Sequence, residues 1–175
     1  HTPSNCDEVV LIDPRGKKYG PRKPKDYLNN TIVWNQPYRP GKVVVIGYKG
    51  GKEVCRDSIR TSKPVATHYT LTPDRSTLKA DGQDLSFISL QLFDENGVPV
   101  RINDRMVTVR VEGDGRLMGI DSGEMRRELR FDSHSLPTYF GKCQIVVQAG
   151  RIKGTLKVIV QVEGLPEQVL NIECL

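Results

Sequence analysis

Between Asp84 and Phe93 the chain alternates, with Ile88, Leu90 and Leu92 on one parity and Ser89 and Gln91 on the other. A helix would scatter these residues around its axis. A strand sends every second side chain to the same face, so the run can bury its apolar half only as one layer of a sheet. Asp94-Glu95-Asn96-Gly97 follows at once, and Asn and Gly tolerate the positive φ of a tight reversal. A half-buried strand closed by a turn predicts one edge of a sandwich module.

The same pattern recurs downstream. Val107, Val109 and Val111 alternate with Thr108 and Arg110, and 144–148 and 155–162 read as closing strands around a turn bounded by Gly150 and Gly154. Gly113-Asp114-Gly115 and 119–123 read as glycine turns on either side of a short Leu117-Met118 segment, and 125–137 as a long polar loop. Residues 169–175 read as a tail strand or the start of a further module.

Upstream, Val9 to Ile12 is a short strand, and Asp13-Pro14-Arg15-Gly16 turns it back toward Tyr19. An extended segment over 30–36 carries Trp34. Tyr38-Arg39-Pro40-Gly41 turns into a strand over 42–48, with Val43 and Val45 toward a core, and 49–52 connects that strand to 53–60 as a hairpin. Pro64 holds Lys63 extended, and few large apolar residues surround it, so a linker is expected near Ser62. The expected organisation is all-β, with one module over 1–62 and a second over 63–175. Composition agrees, since 16 Gly and 11 Pro interrupt helices and mark turns, while 37% hydrophobic residues suffice for ordinary cores.

Several function classes find no support in the sequence. No apolar run approaches the roughly 18 residues that cross a bilayer. The N-terminus does not read as a signal peptide, and targeting information is expected upstream of His1. The net charge is +5. Its one dense patch, Arg15, Lys17, Lys18, Arg22, Lys23 and Lys25, is interleaved with Gly and Pro as in a solvated hairpin, and no nucleic-acid partner is expected. Cys6, Cys55, Cys143 and Cys174 lack the short paired spacing of a zinc site. Cys143 shares the apolar parity of Ile145 and Val147, as a buried thiol would. All four are expected unpaired, with a Cys6 to Cys55 bridge as the alternative.

His1, His68 and His134 stand beside no nucleophile motif, and the glycines at 113, 115, 119 and 123 precede no phosphate-binding helix. Asp94, Asn96, Asp114 and Asp121 offer oxygen atoms, but their spacing fits no calcium loop. No catalytic residue, metal site or cofactor is expected. Two readings stand for Trp34 and Tyr38: a platform on which a sugar ring stacks its apolar face, or a core tryptophan with a tyrosine packed on the neighbouring turn.

The run LTPDRSTLKADGQDLSFISLQLFDENGVPV, with VRVEGDGRLMGIDSGE and FGKCQIVVQA after it, resembles the immunoglobulin-like modules at the C-terminal end of family-two glycoside hydrolases. The likeness is to the β-galactosidase type of Bacteroides-like bacteria. SNCDEVVL, VWNQPYRPGKVVVIGYKGGKEV and RDSIRT resemble the module that precedes it there. Asp13-Pro14-Arg15-Gly16 departs from the family's tighter Asn-Gly turn, and MRRELRF from its usual loop.

The resemblance implies two consecutive immunoglobulin-like β-sandwich domains in a non-catalytic, accessory or structural region. The family's catalytic glutamates lie on a (β/α)8 barrel, one of them in an Asn-Glu pair that this chain lacks. It also implies that barrel as partner, polysaccharide and a homo-oligomer formed through the parent as further partners, and a periplasmic, cell-surface or secreted location. The second module is similar as well to the Big-type domains of invasin-like proteins, which makes an adhesion or ligand-binding array of a bacterial surface protein the alternative.

Overall fold

The computed structural model describes residues 1–126 and 132–175. It divides into two compact units, His1–Thr61 and Ser62–Leu175. Among the described residues, fifteen strands follow one another with two 3-10 turns and no α-helix.

In the first unit β1 (Thr2–Pro3), β2 (Glu8–Ile12), β3 (Lys18–Arg22), β4 (Thr31–Ile32), β5 (Lys42–Lys49) and β6 (Lys52–Arg60) form two layers. One is an antiparallel sheet in the order β3-β2-β5-β6, the other a ribbon of β1 with β4. Val9 pairs with Gly47 and Gly47 with Cys55; the next row on that face is Leu11, Val45 and Asp57, and the last is Val43 with Ile59. At one end Cys6, Val9 and Ile32 make a small core, against which Tyr27, Trp34 and Val45 pack. The ribbon is too short to cover the rest of the face. The extended segment expected over 30–36 is a strand only at Thr31 and Ile32.

The turn after β2 is built around a carboxylate. Asp13 Oδ1 accepts the N–H of Arg15 and of Lys17 at 2.9 Å each, and the Tyr19 hydroxyl donates to Oδ2 at 3.3 Å. Pairing beside this turn is regular, Ile12 with Lys18 and Leu11 with Tyr19, and the register shifts farther along, between Leu11 and Val9.

The second unit is a sandwich. Its strands are β7 (His68–Pro73), β8 (Thr77–Leu78), β9 (Leu85–Phe93), β10 (Met106–Glu112), β11 (Gly115–Asp121), β12 (Ser135–Pro137), β13 (Lys142–Ala149), β14 (Gly154–Val162) and β15 (Gln168–Cys174). One sheet runs β12-β10-β14-β15-β8, the other β11-β13-β9-β7. Ile88, Leu90 and Leu92 of β9 and Cys143, Ile145 and Val147 of β13 join one core with Val107 and Val109 of β10 and Leu156, Val158 and Val160 of β14. Tyr69 of β7 belongs to that core, and its hydroxyl donates to the carbonyls of Val160 at 2.7 Å and Pro166 at 3.0 Å. A buried phenol thus ties one sheet to the other.

Three sequence expectations change here. Leu117-Met118 is the middle of the full strand β11, hidden by a bulge between Leu117 and Gly119 that breaks the alternation. The polar loop expected over 125–137 ends in β12, paired with β10, while 127–131 lie outside the described residues. β9, expected at one edge of the sandwich, lies between β13 and β7, whereas 168–174 form β15, the tail strand of the two readings for that stretch.

Candidate functional site

The uncovered part of the first unit's sheet is a trough of about 600 Å³, within the size range of small-molecule sites. Its floor is the face carrying Val9, Leu11, Val43, Val45, Gly47 and Ile59, and its edges include Trp34, Tyr19, Tyr38, Gln36, Arg39 and Thr61. Both residues singled out from the sequence line it, and they sit differently.

Trp34 is half-buried and packs on the small core. Its indole N–H donates to Thr2 Oγ1 at 3.0 Å, and the Arg22 guanidinium stands 4.5 Å from its ring centroid. Arg22 is fixed there by a 2.7 Å bond to the Val33 carbonyl. The indole is therefore already held by a hydroxyl, a cation and a core. Tyr38 is 78% exposed, and its hydroxyl reaches Thr61 Oγ1 at 3.5 Å. It offers an open ring at the edge of an apolar floor, the arrangement on which the apolar face of a sugar stacks.

Asp13 also lines the trough. Burial pushes its carboxyl up, but the N–H groups of Lys17 and Arg15, the Arg15 charge and the Tyr19 hydroxyl outweigh this and hold it below its ordinary 3.8. It is a turn carboxylate with its lone pairs occupied, poorly placed to act as an acid. Of the basic patch, Lys17 lies over the Tyr19 ring at 5.0 Å and Arg22 over Trp34, so two of its cations serve the aromatic side of this unit.

The three aspartates singled out in the second unit hold backbone. Asp94 accepts three N–H groups, Asp114 accepts that of Ile152 at 2.6 Å, and Asp121 that of Gly123 at 3.1 Å. Among the described residues no group of three or more His, Cys, Asp or Glu could hold a metal ion. His68 stacks on Phe93 with centroids 5.5 Å apart. No helix of the described residues is long and apolar enough to cross a membrane.

Leu11, Tyr19 and Ile59 are trough residues that sequence reading did not single out. The Val43 and Val45 alternation signals the floor, but Ile59 sits in a strand whose nine residues are all exposed and mostly polar, and only the pairing Val43 to Ile59 brings it there.

The arrangement of two successive β units defines a known class of modules. The description "Glycoside hydrolase family 2 C-terminal domain 5" matches residues 70–171, and a domain of unknown function (DUF4982) matches residues 1–55. The chain belongs to glycoside hydrolase family 2, and its second unit is that C-terminal domain. It is 36% identical over 169 residues to the β-galactosidase BoGH2A of Bacteroides ovatus, a match covering 97% of this chain and 20% of that protein. A solved family 2 glycosyl hydrolase of Bacteroides cellulosilyticus superposes with a TM-score of 0.91 at 29% identity, covering 98% of this chain and 22% of that one. A β-glycosidase of Bacteroides vulgatus does so with a TM-score of 0.83 at 28% identity, covering 97% and 21%. The chain thus spans about a fifth of the length of the relatives it matches.

Proposed function

We propose that this chain is the non-catalytic C-terminal region of a β-galactosidase-type glycosidase. It supports the covalently attached catalytic barrel and the assembly of the enzyme, and its first unit presents the trough at Tyr38 to polysaccharide. The observation that carries this reading is the match of 97% of the chain to 20% of a β-galactosidase. Two different family descriptions over the two halves favour it over an adhesion array, which would repeat one module. A periplasmic, cell-surface or secreted location belongs to the same proposal, since polysaccharide is met outside the cytoplasm.

The test compares the parent enzyme with a version lacking this region. The expected result is that the isolated chain leaves a chromogenic galactoside intact, whereas the shortened parent loses thermal stability or changes mass by light scattering. Tyr38→Ala in the full-length parent should lower retention on insoluble polysaccharide without changing turnover of the small galactoside. Hydrolysis by the isolated chain, or a shortened parent identical in stability, assembly and retention, overturns the reading.

A further inference from the structure

Cys6 precedes β2 and is buried, while Cys55 lies on the exposed edge strand β6, 49 residues away. Their Sγ atoms are 3.6 Å apart. β5 runs between β2 and β6, and the residue of β5 beneath the pair is Gly47. A Cβ on Gly47 would stand 2.5 Å from Cys6 Sγ and 2.6 Å from Cys55 Sγ, so the missing side chain is what lets the two sulfurs meet across an intervening strand. Any larger residue there would separate them.

We infer that Cys6 and Cys55 form a dithiol site that closes to an intramolecular disulfide on reaction with a disulfide oxidant, either a low-molecular-weight one such as oxidised glutathione or a protein dithiol oxidase. The exposed Cys55 is the point of attack. Its thiolate displaces one thiolate from the oxidant and becomes a mixed disulfide; Cys6 then gives up its proton, attacks Cys55 Sγ and expels the second thiolate. Two S–H bonds are lost and one S–S bond forms. The oxidant's disulfide is reduced, and the two protons leave with its two thiols.

The sulfurs must approach by about 1.5 Å to reach the roughly 2.05 Å of a bond, a movement within the reach of side-chain rotation. In the reduced state the contact with Cys6 is the main influence raising the Cys55 thiol above its ordinary 9.0, so the resting pair is two thiols sharing a hydrogen bond. Cys143 and Cys174 lie in the core of the other unit and are each buried. Burial pushes the Cys143 thiol up to about 12, which keeps it out of exchange.

The experiment incubates the folded full chain with oxidised glutathione, quenches in acid, and reads the denatured thiol titre, intact mass and peptide map. The expected result is a fall of two from the four thiols of the reduced chain, a loss of two hydrogens in mass, and one linked pair of peptides carrying Cys6 and Cys55. The oxidised chain should melt at a higher temperature than the reduced one, because the cross-link restricts the unfolded chain. Cys55→Ser, at an exposed position, should stay folded and keep its remaining three thiols. A titre that stays at four, glutathione left on Cys55, or a cross-link through Cys143 or Cys174 overturns the inference.

Discussion

Asp94 accepts the backbone N–H of Lys63 with Oδ2 at 2.7 Å, while its Oδ1 accepts those of Asn96 and Val98 at 2.9 Å each. One carboxylate, only 1% exposed, thereby fixes both the start of the second unit and the turn after β9. Burial alone pushes its carboxyl up, but the N–H donors and the Lys63 charge overcome this and hold it below its ordinary 3.8. Asp74 and Asp84 are held down as well, first of all by the N–H groups of Phe87 and Lys79 respectively.

A folded pKa below the unfolded one favours the carboxylate in the folded chain. That stabilisation is complete above the unfolded value and is lost as pH falls through the folded one. Melting temperature should therefore drop from about pH 5 downward. Asp94→Asn should lower the melting temperature at neutral pH and flatten this acid limb. Melts of both proteins across the range check it; parallel curves would contradict the role given to Asp94.

Tyr69→Phe removes the hydroxyl that bridges the sheets and leaves the carbonyls of Val160 and Pro166 without that donor. The expected cost is about 1–3 kcal/mol. In urea it should appear as a lower midpoint for the second unit with an unchanged slope.

Gly141 has φ +69, and a Cβ there would meet the Val100 carbonyl oxygen at 2.0 Å. Its own carbonyl accepts from Leu92 N at 2.8 Å, so the backbone is pinned from another side. Gly141→Ala combines left-handed strain with a backbone collision and should destabilise by more than about 2 kcal/mol. Denaturant titration of the purified variant is the check.

Trp34→Ala should cost the first unit about 3 kcal/mol, since it removes a half-buried ring together with its Thr2 and Arg22 partners. Tyr38→Ala, at an exposed edge, should change stability by no more than about 0.5 kcal/mol. Unfolding curves followed by circular dichroism separate the two. Equal losses would mean that Tyr38 is part of the fold rather than an open ring.

The strands that could be read in advance are those whose two faces meet different surroundings. Ile88, Leu90 and Leu92 are buried where their parity puts them, and the turn at 94–97 follows them. Cys143 lies in the core with Ile145 and Val147. In β11 the bulge at Leu117 shifts the parity halfway along, and in β4, β8 and β12 the strands are too short for any period to show. The trough was legible only in part. Trp34 and Tyr38 announce themselves as the aromatic residues near a turn, but the floor they border depends on which residue of β6 faces which residue of β5. That register is a long-range property, set by the turn at 49–52 and by a shift between Gly47 and Tyr48.

β15 pairs antiparallel with β14 on one side and parallel with β8 on the other. β8 precedes its strand partner by some ninety residues of sequence, and until β15 docks the layer ends at β14. The second unit therefore cannot finish this sheet hairpin by hairpin; Leu78 of β8 stays without its strand partner until Cys174 arrives. Parallel closure between distant segments is slow compared with hairpin formation. An unpaired β8 and an open β14 edge therefore persist until the last strand docks between them.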